Sequence, residues 1–167
     1  MGLRLLMELY LFRHGIAEDR SPTGRDADRR LTEEGRAKLR RVLERAHVAG
    51  VDPSLILSSP LKRALETAEI AAHELGYGGR IVRTDALTPD SSPTKVWAEI
   101  RTHADESAIL LAGHEPLFSH TVAWMLGSTQ VMVEFKKAAL VRIDFETIGA
   151  EPRGGVLQWM LTAKLAQ

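Results

Sequence analysis

The chain of 167 residues contains no cysteine. Disulfides, thiolate metal sites and a cysteine nucleophile are therefore excluded, and a reducing, cytoplasmic setting is expected. Net charge is lacking too, with 22 Lys and Arg against 22 Asp and Glu. No global field recruits nucleic acid or an acidic membrane, so neither is expected as a partner. Any preference for anions must come from local placement of Arg and Lys. No apolar run approaches the length of a membrane span. The apolar stretch from Met1 to Phe12 is interrupted by Glu8 and ended by Arg13-His14, without a small-residue cleavage site. It does not read as a signal peptide. Met1-Gly2 lacks a Ser or Thr at position 6, so the myristoylation pattern fails. Residues 1–6 read as a lead-in, with Met7 as an alternative start, and one domain is expected over 7–165. Internal repeats and low-complexity segments are absent.

An apolar share of 44% is enough to fill a core. Leu9 to Phe12 reads as a strand buried on both faces. It breaks into Arg13-His14-Gly15, and Gly15 permits a sharp turn. In open α/β sheets, ligands bind beyond the carboxyl ends of strands, so Arg13 and His14 are candidates for display in a site. Residues 18–30 read as a charged surface loop. Thr32 is the expected N-cap of a helix to about Ala49, with an apolar stripe of Leu39, Val42, Leu43 and Ala46.

Leu55 to Leu57 is a second strand. Ser59-Pro60 reads as a cap followed by a first-turn proline, which opens a helix carrying Arg63. Ile81-Val82, a loop from Leu87 to Pro93 and a helix from Thr94 to about His103 follow, with Val96, Trp97 and Ile100 inward. Ala108 to Ala112 is a buried strand ending in Gly113-His114, and Pro116 reads as the first position of the next helix. Ala139 to Phe145 alternates and pairs with Val156 to Leu161 as a terminal antiparallel pair. Alternation of strand and helix predicts a mainly parallel sheet with helices on both faces.

Arg13-His14, Arg63 and His114 all fall at strand ends or in a first helical turn. If those strands are neighbours, two guanidiniums, two imidazoles and helix N-termini share one rim, which suits a dianion. His47, His73, His103 and His120 lie on helical segments without ligand spacing and read as non-metal histidines. Trp97, Trp124 and Trp159 read as core packing.

Leu11-Phe12-Arg13-His14-Gly15 resembles the signature of the histidine phosphatase superfamily, which has the phosphoglycerate mutase-like fold. Leu31-Thr32-Glu33-Glu34-Gly35, Ser58-Ser59-Pro60-Leu61-Lys62-Arg63-Ala64 with Thr67, and Gly113-His114-Glu115-Pro116 resemble its later motifs, in the family's order. The short chain and the form Arg-His-Gly-Ile-Ala most resemble the SixA-type phosphohistidine phosphatases.

The resemblance implies a three-layer α/β/α sandwich, mainly parallel with an antiparallel C-terminal strand. It implies that His14 is the nucleophile, carrying the phosphoryl group as phosphohistidine, and that Arg13, Arg63 and His114 bind that group. Gly15 and the backbone of Glu115 join the substrate-binding set, as does Arg29, a substrate-side cation. No metal or cofactor is called for. Asp90 is the candidate general acid, with Glu18 and Asp19 as rivals. The expected substrate is phosphohistidine in a protein, because the segment from Arg63 to His114 leaves little chain for a lid. Two rivals stand beside it: a phosphatase of a small phosphorylated metabolite, and a non-catalytic phosphate-binding scaffold. A mutase ranks lower, since the chain has no room for the necessary insertions.

Overall fold

The computed structural model describes residues 6–167. Of the expected lead-in, residues 1–5 lie outside the described residues, as does the question of a start at Met1. The elements run β1 Met7–Arg13, α1 Glu33–Val48, β2 Leu55–Ser58, α2 Lys62–Glu74, β3 Ile81–Arg83, α3 Pro93–Thr102, β4 Ala108–Gly113, α4 Leu117–Met125, β5 Leu140–Phe145 and β6 Val156–Leu161. One six-stranded sheet has the order β3-β2-β4-β1-β5-β6. From β3 to β1 all neighbours are parallel, whereas β5 runs antiparallel to both β1 and β6.

The period of two along each strand divides the core into two layers. Leu9, Leu11, Leu57, Ile109 and Leu111 face the side covered by α3 and α4, with Trp97, Phe118 and Val122. Tyr10, Phe12, Ile56, Leu110 and Ala112 face α1 and α2, with Leu39, Leu43 and Ala68. This is the expected α/β/α sandwich.

The helix after β1 thus covers one face and the helix after β4 the other. Those two strands are adjacent, so the chain leaves their carboxyl ends in opposite directions. A crevice opens at such a switch point.

Local chemistry sets most helix starts. Thr32 caps α1, its side chain accepting a hydrogen bond from the Gly35 N–H at 3.0 Å. Ser92 caps α3 in the same way, with Pro93 in the first turn. Two starts differ from the sequence reading. Helix α2 begins at Lys62 with Leu61 as N-cap, not at Ser59-Pro60. The Ser59 hydroxyl accepts from the Leu61 N–H at 3.3 Å and also lies 2.8 Å from His114 Nε2. Pro116 is the N-cap of α4 rather than its first helical residue. The Glu115 carboxylate caps that helix by accepting from the Ser119 N–H at 2.6 Å.

Strand β5 also departs from simple alternation, since Leu140, Val141 and Asp144 are all buried. Asp144 tolerates this because it accepts two hydrogen bonds from Arg142, at 2.8 and 2.9 Å. Arg142 in turn reaches Glu8 on β1 at 3.0 Å.

Candidate active site

Register brings the two imidazoles together. In the parallel pair β1 and β4, Arg13 lies opposite Gly113. The next residue on each strand is therefore a histidine, and the His14 N–H donates to the Gly113 carbonyl at 3.0 Å. The ring centroids of His14 and His114 are 5.1 Å apart. Strand β2 flanks β4 on its other side, with Ser58 opposite Ala112. Ser59 consequently lies beside His114, and α2 carries Arg63 into the same place one residue into the helix.

The turn after His14 is fixed by close packing. The Gly15 N–H donates to Thr67 Oγ1 at 3.3 Å, and that hydroxyl donates to the Arg63 carbonyl at 2.7 Å. A Cβ on Gly15 would lie 2.9 Å from Leu39 Cδ1. A Cβ on Gly35 would collide with the Ile16 carbonyl. The Leu31–Gly35 motif therefore docks the loop carrying His14 onto α1. Its contribution here is positional, and the Gly15 N–H is engaged with Thr67.

His14 Nδ1 is 2.7 Å from the Gly15 carbonyl, which can only accept. In the neutral ring Nδ1 therefore bears the hydrogen and Nε2 the lone pair. Burial pushes the His14 pKa down to about 4, with the Arg63, Arg13 and Lys137 cations adding to the shift against the Gly15 hydrogen bond. Burial likewise pushes His114 down to about 3, helped by His14, Arg63 and Arg13. Both rings are neutral at pH 7 while the pocket holds no anion.

The guanidiniums are held from behind. Arg13 Nη1 donates to the Phe135 carbonyl at 2.7 Å. Arg63 donates to the Asp26 carbonyl and to Asp26 Oδ2, both at 3.1 Å. Each arginine keeps a buried Nε without a partner, and so does His114 at Nδ1. Unpaired buried nitrogens are rare and call for an explanation. Apart from Ser91 Oγ, the unpartnered buried side-chain atoms among the described residues belong to two arginines and a histidine of one pocket, which points to an anionic ligand.

Other expected residues lie differently. Arg29 is tied to the Glu18 carbonyl at 2.5 Å and to Asp26 at 2.9 Å, and its charge also acts on Arg63. Asp90 is exposed, and a hydrogen bond from Thr88 holds its carboxyl below the ordinary carboxylate range. Among the described residues no group of three His, Asp or Glu is placed to hold a metal ion. Asp26, Ser59, Phe135 and Lys137 were not singled out as site residues by the sequence. Of these only Ser59 carries a signal, from its place in the Ser-Ser-Pro motif.

A family model described as histidine phosphatase superfamily (branch 1) matches residues 9–88. An uncharacterised protein of Picosynechococcus sp. is 38% identical over 137 residues, which is 81% of this chain and 83% of that one. The chain belongs to the histidine phosphatase superfamily. Its fold is similar to that of the protein histidine phosphatase SixA solved with tungstate, at a TM-score of 0.86 and 22% identity over 96% of this chain and 100% of that one. A phosphoserine phosphatase of Entamoeba histolytica, solved as a mutant with phosphoserine, shares the fold at a TM-score of 0.69 and 14% identity over 95% and 98% of the two chains. Membership of the histidine phosphatase superfamily supports a phosphatase activity. No helix among the described residues is long and apolar enough to cross a membrane.

The depressed histidine pKa values predict an acid-labile fold. An unfolded imidazole titrates near ~6.5, whereas in the fold His14 and His114 titrate near about 4 and about 3. Below pH ~6.5 the unfolded chain binds more protons, so stability falls as pH falls towards those values. At about pH 5 the loss is about 2 kcal/mol for each ring. Urea midpoints measured against pH check this, and the His114→Gln variant is expected to show a clearly shallower decline. Identical slopes for the two proteins would rule the explanation out.

Proposed function

We propose that this histidine phosphatase superfamily member is a metal-independent phosphatase that removes phosphate from phosphohistidine in proteins. One observation carries the reading: the bond from His14 Nδ1 to the Gly15 carbonyl leaves the Nε2 lone pair unprotonated in a pocket shared with His114, Arg13 and Arg63. His14 Nε2 attacks phosphorus in line with the leaving nitrogen. The P–N bond to the substrate breaks as the bond to Nε2 forms. Water then attacks phosphorus, the bond to Nε2 breaks, and orthophosphate leaves.

Phosphoryl transfer demands chiefly positioning and charge stabilisation. Arg13 and Arg63 supply fixed positive charge for the equatorial oxygens. A bound dianion reverses the local field, raises the His114 pKa and lets that ring donate a hydrogen bond. The Glu115 backbone follows His114 at the same rim. Arg29 acts on Arg63, through Asp26 and by its charge, rather than on substrate.

Proton donation decides between substrates. Asp90 is ionised at neutral pH and exposed, so it has no proton to give. A serine or sugar alkoxide needs such a donor. A phosphohistidine does not, because its leaving imidazole departs neutral when the other ring nitrogen carries a proton. The fold also serves a phosphoserine phosphatase, so the two substrate classes must be compared directly. With a phosphohistidine-bearing protein, kcat/KM is expected to exceed that for phosphoserine or a sugar phosphate by about 100-fold or more. Equal values, or a preference for the esters, would favour the metabolite phosphatase.

A further inference from the structure

A groove of about 860 Å³ adjoins the anion pocket, and Arg13 lines it. Apart from Arg13 and Ile16, its lining residues lie outside the family motifs and take no part in the phosphoryl chemistry. Ile16, Ala138, Met160 and Ala163 give it an apolar wall. Lys38 from α1 and Lys164 from the C-terminal segment also line it, together with Lys137, whose charge reaches His14. Its acid, Glu134, is neutralised by Lys136 at 2.6 Å. Lys38 has a partner in Glu34 at 2.9 Å, whereas Lys137 and Lys164 form no ion pair among the described residues. The chain as a whole is neutral, so this excess of positive charge is local.

We propose that the groove binds an acidic, partly apolar polypeptide segment flanking the phosphorylated histidine of the substrate protein. The inference rests on the reading of the site given above and adds the chemistry of the flanking chain. Volume and charge both favour such an occupant. A space of this size accommodates a ligand far larger than a phosphoryl group, and an apolar wall gains nothing from a sugar phosphate. Unpaired ammonium groups around that wall select carboxylates. A segment alternating Glu with Leu satisfies both surfaces, and it draws the phosphohistidine towards Arg13 and His14.

The test uses the full chain and two fluorescein-labelled peptides of equal length without phosphate, one of Glu and Leu, the other of Lys and Leu. Binding is read by fluorescence anisotropy, so it is independent of hydrolysis. In about 0.05 M salt the acidic peptide is expected to bind at least about tenfold more tightly than its basic counterpart, and the difference should shrink at about 0.5 M. Reversing two charges in the groove, with Lys38→Glu and Lys164→Glu together, is expected to remove the preference. Lys38→Arg with Lys164→Arg keeps it, and so does the same reversal at Lys95 and Arg101 on α3, across the sheet. Thermal unfolding reports whether each variant is folded. Equal binding of the two peptides, or an acidic preference that survives Lys38→Glu with Lys164→Glu, would overturn the proposal. The same sequences carrying phosphohistidine separate it from the reading of the site. Selective binding without hydrolysis sinks the phosphohistidine substrate and leaves the groove standing, whereas hydrolysis indifferent to flanking charge sinks the groove alone.

Discussion

Hydrolysis of an aryl phosphate by the His14→Ala variant is expected to fall by about four orders of magnitude or more. The pocket's second imidazole, His114, has its Nε2 engaged with Ser59 at 2.8 Å and its unpartnered Nδ1 buried. His14 is prepared for attack by three features of its surroundings. It is neutral because burial and neighbouring cations depress its pKa to about 4. Its tautomer is set by the Gly15 carbonyl. Its backbone is held by Gly113 and by the Gly15–Thr67 contact. Removal of the ring leaves the cationic cradle intact, so binding of inorganic phosphate should persist while turnover fails. That split distinguishes loss of a nucleophile from collapse of the pocket, and near-normal turnover by His14→Ala would reject the mechanism.

Loss of Arg63 is expected to be the next most severe change. Arg63→Ala should lower kcat/KM by about 10²–10³-fold, the scale found when one donor to a developing oxyanion is removed. Arg63→Lys should recover little, because a single ammonium cannot reproduce a planar fork held at one edge and offered at another. The structure shows that fork in use. Two nitrogens of Arg63 are committed to Asp26, while its Nε remains unpaired in the buried pocket. The stability cost of Arg63→Ala should be modest, since the Asp26 side chain is 60% exposed and water can take over its hydrogen bonds. Steady-state kinetics with a urea titration check both halves. A large loss of stability with unchanged kcat/KM would assign Arg63 a structural role.

Much of this arrangement was legible in the sequence because it depends on period and punctuation. The apolar runs at β1 and β4 and the helical stripe of α1 each fall where the pattern places them. Arg13, His14 and His114 follow from the rule that parallel strands present ligand-binding residues at their carboxyl ends. Other features depend on who pairs with whom, which no local pattern encodes. The register that sets Arg13 opposite Gly113 links positions 100 residues apart, and that register alone makes the imidazoles neighbours. Ser59 looked like a helix cap, yet its hydroxyl serves the Leu61 N–H just before the helix and His114 as well. Asp26 sits in a charged loop without periodicity, so nothing marked it as the partner of Arg63. The groove draws on α1, the segment before β5 and the C-terminal residues, so its charge appears only after folding.

The central claim is that phosphate passes through the His14 ring, and rapid quenching during turnover of a ³²P-labelled substrate tests it most directly. The account predicts a protein-bound label that survives alkali, is released by acid, maps to His14 Nε2 and is absent from His14→Ala. A label on any other residue, or steady turnover without a trapped phospho-enzyme and with inversion at phosphorus, would contradict it.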